Sequence, residues 1–400
     1  MTISFSHSLL LQSILIVLFI LSSSSFNSAA SKVGNYNVLS FGAKPDGKTD
    51  CTKAFLSAWQ KACDSAELAT IYVPAGRFLL GKTAFSGECN NKAISITIDG
   101  TLVAPSHYHV TGNDDNWIVF DNVDGVSVRG GLLDGQGTAL WACKNSGGNC
   151  PSGATSLKFT NSRNIMVIGL TSLNSQMFHI VIHQCQHVKM QGVKVTAPED
   201  SPNTDGIHIG GSDDVTILNS NIRTGDDCIS IGPGTTNLWV ENIACGPGHG
   251  ISIGSLGKDE NEDGVQNVTV KTVKFAGTQN GVRIKTWGKP SSAFVRNVIF
   301  QHAVMVDVKN PIVIDQHYCP DDHGCPHQAS GVKISDVTYQ DIHGTSATEV
   351  AVKFDCSSKN PCSGIRLEDV KLTYNNQIAQ ASCQNAGGTS QGSVQPESCL

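Results

Sequence analysis

Charge is scarce in this chain. Asp, Glu, Lys and Arg make up only 16% of its 400 residues, and Phe, Trp and Tyr only 6%. With 40% apolar residues and a net charge of −6, the composition is not that of a disordered polymer. No basic excess exists either: 28 Lys and Arg face 34 Asp and Glu, which excludes nucleic acid or an anionic membrane surface as the expected partner. The 40 glycines follow no triplet period, so a collagen helix is excluded. Beyond the amino terminus no apolar run is long enough to span a bilayer, which needs about 20 residues. The 14 cysteines include no CxxC pair, which argues against a thiolate metal site.

What is present begins with an apolar stretch from Leu9 to Leu21, broken only by Gln12 and Ser13. A serine-rich segment follows and ends in Ser28-Ala29-Ala30, small residues suited to signal peptidase. Residues 1–30 therefore read as a cleaved secretory signal, although no Lys or Arg precedes the apolar core. Residues 31–400 form the expected mature domain, secreted and free of the membrane after cleavage. An oxidising route suits the cysteines. Cys143 and Cys150, Cys319 and Cys325, Cys356 and Cys362, and Cys383 and Cys399 lie close together, while Cys228 and Cys245 flank a motif-rich segment. Spacing leaves the pairing open. Asn267-Val268-Thr269 is a glycosylation acceptor pattern.

Asp50 to Cys63 carries Cys51, Ala54, Phe55, Ala58, Trp59, Ala62 and Cys63 at helical spacing, the only convincing amphipathic helix. Thereafter a phrase recurs: a polar residue, then β-branched alternation. It begins at Asn164, His187, Asp214, Asn237, Asn267 and Asn297, so that one start follows another at intervals of 23, 27, 23, 30 and 30. Repeats of that period indicate solenoids, propellers or arrays. Propeller blades are longer and a leucine framework is absent, so the reading is all-β: a single-stranded right-handed parallel β-helix, one coil per repeat. The Asp50–Cys63 helix would cap its amino-terminal end, and glycines would turn its corners. A β-sandwich is the plainer rival.

Four motifs fall on consecutive repeats: Asn203-Thr204-Asp205, Gly225-Asp226-Asp227, Gly248-His249-Gly250 and Arg283-Ile284-Lys285. The steps from Asp205 to Asp226 and from Asp226 to His249, offsets of 21 and 23, are each one coil, so the three are expected to stack on one face. The step from His249 to Arg283 is a coil plus an insertion that includes Lys258 to Asp263. Arg283 and Lys285, two apart, share a strand face. Asp226 and Asp227, being adjacent, serve one cleft only if they lie in a turn or bulge.

In these stretches, NTDGIHIG (203–210), GDDCISIG (225–232), GHGISIGSLG (248–257) and RIKTWG (283–288), the chain resembles the polygalacturonases of glycoside hydrolase family 28, pectin-degrading enzymes with a pectin lyase-like β-helix. FGAKPDGKTDCTKAF (41–55) and PIVIDQHYC (311–319) extend the likeness across the mature chain, whose style is most similar to plant pollen exopolygalacturonases. The resemblance implies galacturonan (pectin) as substrate, a location in the cell wall, no cofactor, no metal, and action as a monomer. It implies Asp226 as general acid, with Asp205 and Asp227 holding the water of an inverting hydrolysis. Glycoside hydrolysis needs a protonated carboxyl for the leaving oxygen and a carboxylate for the water, roughly 6.5–9.5 Å apart when inverting. Crowded carboxylates raise one another's pKa, which keeps one protonated. His249 would tune the acid, and Arg283 and Lys285 suit a galacturonate carboxylate. Tyr318 matches the family's tyrosine beside the cleft, and Asn203 is a candidate for orienting a carboxylate or the sugar.

Other features take plainer readings. His317, His323 and His327 surround Cys319 and Cys325, and a disulfide-closed loop is preferred there to zinc. The acidic run Asp259–Asp263 reads as a solvated loop, without the calcium-loop signature. Trp141 and Trp287 are candidate sugar platforms, Trp287 the better. Rival functions are an endo-acting relative, a rhamnogalacturonan hydrolase, a pectate lyase working by calcium-assisted elimination, and a non-catalytic wall-binding protein. The Arg283/Lys285 pair favours a uronate over rhamnogalacturonan, and the carboxylate set favours hydrolysis.

Overall fold

A computed structural model describes residues 33–320, 324–326 and 328–400. Residues 1–30, the expected secretory signal, lie outside these, as do His323 and His327. The domain is a right-handed parallel β-helix, as expected. Its strands form two long stacks, and every pairing between coils is parallel apart from the local hairpin of Thr373–Tyr374 with Gln377–Ile378. One stack runs through the short strands Ile180–His183, Ile207–Gly210, Ile229–Ile231, Ile251–Leu256, Asn280–Trp287 and Asn310–Tyr318. Inward residues of successive coils sit directly above one another: Ile180, Ile207, Ile229, Ile251, Val282 and Ile312 form one column. Each of these side chains is fully buried. Burial of about 25 cal/mol per Å² of apolar surface, repeated at each coil, stabilises the cylinder.

The second stack explains the recurring phrase. Its long strands, among them Asp213–Arg223, Thr236–Cys245, Val265–Ala276 and Phe294–Val308, each contain a pair of left-handed residues, and the last adds a third at Asp307. The first left-handed residues are Asp214, Asn237, Asn267 and Asn297; the second, five positions on, are Asn219, Asn242, Thr272 and His302. Asn164 and His187 are left-handed as well. In these strands the corners are turned mostly by Asn, Asp and His, which tolerate this conformation and gain a side-chain ladder, while glycine turns others as expected, among them Gly169, Gly192 and Gly364. Asn267 Nδ2 donates to Asn237 Oδ1 at 3.0 Å, and Asn237 Nδ2 to Asp213 Oδ1 at 2.7 Å. Asn267, the glycosylation acceptor candidate, is exposed with its amide in this ladder.

Helix α1 (Thr52–Asp64) caps the amino-terminal end as the pattern predicts. Trp59 packs on Phe85 and Phe120 at 5.2 and 5.8 Å, and a Cys63–Cys89 disulfide ties the helix to the first coils. A second helix, α2 (Thr138–Asn145), corrects the expectation of a single one. Its two turns are too short to show a period. They bury Leu140 and Trp141 and are closed by the Cys143–Cys150 disulfide. Trp141 is therefore buried and presents no sugar platform.

The remaining disulfides join Cys228–Cys245, Cys319–Cys325, Cys356–Cys362 and Cys383–Cys399, the last near the carboxy-terminal end. Cys51 and Cys185 are free and buried. In the acidic run, Glu262 accepts the backbone N–H groups of Gly257 and Lys258, so part of its charge is used by its own loop.

Candidate active site

Asp226 and Asp227 sit in the irregular turn before strand Ile229–Ile231, which resolves how adjacent carboxylates reach one cleft. Thr224 and Thr204, both fully buried, pin this turn to the preceding coil: Thr224 Oγ1 donates to Thr204 Oγ1 at 2.8 Å, and the Gly225 N–H donates to the same oxygen at 3.2 Å. A Cβ at Gly225 would stand 2.2 Å from the Ser201 carbonyl oxygen, so only glycine permits this approach. The Cys228–Cys245 disulfide anchors the turn to the next coil.

Extending the strand register by two residues places Asp205, Asp227 and His249 in one column, since Ile207, Ile229 and Ile251 are paired. The expected column of Asp205, Asp226 and His249 is corrected accordingly: Asp227 stands midway between the other two, and Asp226 is its outward neighbour. Asp226 still meets His249, whose Nδ1 lies 3.0 Å from Asp226 Oδ1. The His249 backbone N–H also donates to the Asp226 carbonyl at 2.7 Å, and buried Asn280 donates to the His249 carbonyl at 3.1 Å. One carboxylate oxygen each of Asp226 and Asp227 and a His249 ring nitrogen lie within 4.8 Å of one another. This is the nearest approach of single atoms, whereas the roughly 6.5–9.5 Å of inverting enzymes is measured between whole carboxyl groups.

Asp227 is almost inaccessible, its side chain 2% exposed. Oδ1 accepts from Ser252 Oγ at 2.7 Å and Arg283 Nη2 at 3.0 Å, and Oδ2 accepts from Lys285 Nζ at 2.9 Å. Burial pushes its pKa up, but the Lys285 and Arg283 charges and these hydrogen bonds outweigh it and hold the carboxyl below the usual range. Asp205 goes the other way. Burial first, then the charges of Asp226 and Asp227, raise it well above the ordinary carboxylate value. The two neighbouring carboxyls are thus pushed apart, Asp205 towards its protonated form and Asp227 towards its ionised form. Asp226 is the most open of the three: its side chain is 19% exposed, against 2% for Asp227, and Asp205 is 7% exposed.

Arg283 and Lys285 do share a face, but in this structure both charges are directed at Asp227. Arg283 Nε also donates to Ser252 Oγ at 3.1 Å. Two cations share one carboxylate, which leaves a local excess of positive charge and unspent N–H donors. Tyr318 is brought beside them: Lys285 Nζ lies 5.2 Å and Arg283 Cζ 5.9 Å from its ring centre. Trp287 meets Tyr318 edge-on at 5.7 Å, half-buried in the same wall. Asn203 is exposed, in a left-handed turn residue two before Asp205, with its side chain bonded to none of the other site residues. Its neighbour Thr204 fixes the turn instead. His317 pairs with Asp355 at 3.1 Å beside the Cys319–Cys325 bridge.

The motif reading missed Thr204, Thr224, Asn280, Ser230, Ser252 and His208. A signal for three of these was present in the repeated phrase Ile-x-Ile-Gly: IHIG (207–210), ISIG (229–232) and ISIG (251–254). The middle residues His208, Ser230, Ser252 and then Arg283 are paired in register as one outward column. His208 Nδ1 meets Ser230 Oγ at 2.8 Å, and burial first, then the nearby His183, lowers its pKa to about 4.

With this geometry, comparison with known proteins is unambiguous at the level of family. The profile of the glycosyl hydrolases family 28 matches residues 63–396, and the chain belongs to that family. It is 68% identical over 375 residues to a polygalacturonase of Prunus persica, covering 94% of this chain and 95% of that one. It is 43% identical to an exopolygalacturonase of Platanus acerifolia, covering 90% and 96%. Among solved structures, endo-xylogalacturonan hydrolase from Aspergillus tubingensis superposes with a TM-score of 0.78 at 25% identity, over 91% of this chain and all of that one.

Proposed function

We propose that the protein hydrolyses α-1,4 bonds of galacturonan and releases galacturonate from chain ends. The observation that carries the chemistry is the Asp205/Asp226/Asp227 cluster, with one carboxyl raised, one lowered and one open to the cleft. Asp226, the accessible member, donates its proton to the glycosidic oxygen, with His249 at 3.0 Å holding the carboxyl in place. Ionised Asp227 takes a proton from the attacking water, and protonated Asp205 holds that water by donating to its oxygen. The C–O bond to the leaving sugar breaks as the water oxygen bonds to the anomeric carbon, and the products carry one water more than the substrate. Attack from the opposite face inverts the anomer. Arg283 and Lys285 hold Asp227 ionised, and their spare donors, with Tyr318, receive a uronate.

Galacturonan as substrate is supported by the polygalacturonase relatives, and chain-end action by the exopolygalacturonase of Platanus acerifolia. Secretion to the cell wall, action as a monomer and independence of metal or cofactor belong to the same reading. Among the described residues no helix is long and apolar enough to cross a membrane. Time-resolved product analysis on polygalacturonate tests the proposal. Galacturonate alone from the first minutes is expected, with the inverted anomer by NMR. An early ladder of oligomers refutes chain-end action, and ultraviolet-absorbing unsaturated ends refute hydrolysis.

A further inference from the structure

The outward column that carries His208, Ser230, Ser252 and Arg283 continues beyond the aspartates on the amino-terminal side. There it reads Lys158, Val181, His208, with His183 two residues along from Val181 on the same face. The inward neighbours Leu157, Phe159, Ile180 and Ile182 fill the core, so alternation turns Lys158, His183 and His208 towards the cleft. Coils in a parallel stack are about 4.8 Å apart, which puts Lys158 two coils before Asp205.

Several features make this a place for a ligand. Gly210 and Gly232 contribute no side chain to the cleft face, and leave a floor. A Cβ built on Gly210 would have His183 Nδ1 at 3.6 Å and His208 Nε2 at 3.7 Å as its nearest neighbours, so two imidazoles converge on the space above that glycine. The Phe178 ring stacks on His208 at 5.0 Å and fixes its plane, while Ser230 occupies its other nitrogen. Lys158 is half-buried and lies close enough for its charge to act on both histidines. Unlike Arg283 and Lys285, the side chains of Lys158 and His183 have no hydrogen-bond or ion-pair partner among the described residues.

We infer that Lys158, His183 and His208 form a carboxylate-binding subsite for a uronate residue of the substrate chain, on the Asp205 side of the bond that is cleaved. The inference rests on the galacturonan reading and deepens it. The cleft then holds cations at both ends, with the three aspartates between them, and a polyanion lies across both. An ammonium and imidazole N–H groups make charge-assisted bonds to a carboxylate, and neutral sugars offer no such partner.

Steady-state kinetics on polygalacturonate with Lys158→Met and His183→Asn tests the subsite. Each variant is expected to raise KM by about tenfold, the loss of one such contact, with kcat changed far less, and Lys158→Arg is expected to restore most of the binding. Melting temperatures control for folding, and His183→Asn carries the test if Lys158→Met does not fold. KM within twofold of wild type for both variants overturns the subsite while leaving galacturonan hydrolysis standing. A wild-type enzyme that does not cleave polygalacturonate overturns the reading beneath it.

Discussion

Replacing Lys285 by Met separates two duties that one ammonium could perform, charging Asp227 or gripping the substrate. Lys285 Nζ lies 2.9 Å from Asp227 Oδ2, and the two side chains are 9% and 2% exposed. Removing one partner of a buried ion pair costs about 3–5 kcal/mol. The lower figure applies because Ser252 and Arg283 remain on the other oxygen. At roughly 2 °C or less per kcal/mol for a domain of this size, Tm at pH 6.5 should fall by about 5 °C. The pH dependence has a definite sign. Asp227 has a lowered folded pKa, so its stabilisation is present above the unfolded carboxyl value of about 3.9 and is lost as pH falls through the folded one. The gap in Tm between wild type and variant should therefore narrow towards pH 3. In kinetics, a less favoured carboxylate shifts the acid limb of kcat to higher pH. Calorimetric melting across pH 3–7 and a kcat–pH profile read both effects. If Tm and the acid limb stay in place while KM alone rises, Lys285 serves the substrate and its assignment to Asp227 is refuted.

Asp226→Asn should lower kcat by roughly 10²–10⁴-fold, the usual contribution of a general acid, with Tm unchanged; near wild-type turnover would remove Asp226 from the role. His179 is fully buried, with Ser172 on Nδ1 at 2.8 Å and no partner on Nε2, and burial lowers its pKa to about 3. A depressed histidine is neutral when folded and protonates on unfolding below about pH 6.5, so stability should fall by roughly 2 kcal/mol between pH 6.5 and 4.5 from this group alone. Urea midpoints of His179→Gln should show a shallower acid slope; an unchanged slope argues against a buried neutral imidazole. Replacing both Cys228 and Cys245 by Ala, opening a link with sequence separation 17, should cost about 3 kcal/mol. It should also lower kcat, because the turn holding Asp226 and Asp227 loses its anchor; unfolding curves and kcat on the same preparation check both.

The β-helix was legible because its coils repeat and its alternation has period two, and neither depends on distant context. The stack of aspartates was legible for the same reason, yet the column was misplaced by one residue. The two motif offsets straddle the true coil length by one on either side, and only the pairing of Ile207, Ile229 and Ile251 shows which Asp lies in register. Arg283 and Lys285 were recognised as cations of the cleft. Their engagement with Asp227 was not, because a strand face indicates who shares a surface and not who touches whom. Helix α2 was hidden by brevity. The corner role of Asn, Asp and His was hidden because a left-handed residue leaves only a weak compositional trace.

Those paired corners, always five residues apart, act as an index mark for each turn. The second mark recurs at Asn219, Asn242, Thr272, His302 and Asp341. Asn219 and Asn242 are 23 apart in sequence, whereas His302 and Asp341 are 39 apart, yet each pair is joined side chain to side chain across one coil. The circumference of a coil is thus free to grow by more than half while its phase is reset at every corner. Added length is expelled into loops, and the catalytic rungs keep their spacing. A lineage built this way can remodel the rim of its cleft, closing one end or opening both, without touching the distances between its carboxylates. Mode of attack on a polymer and the chemistry of the bond then evolve as separate variables.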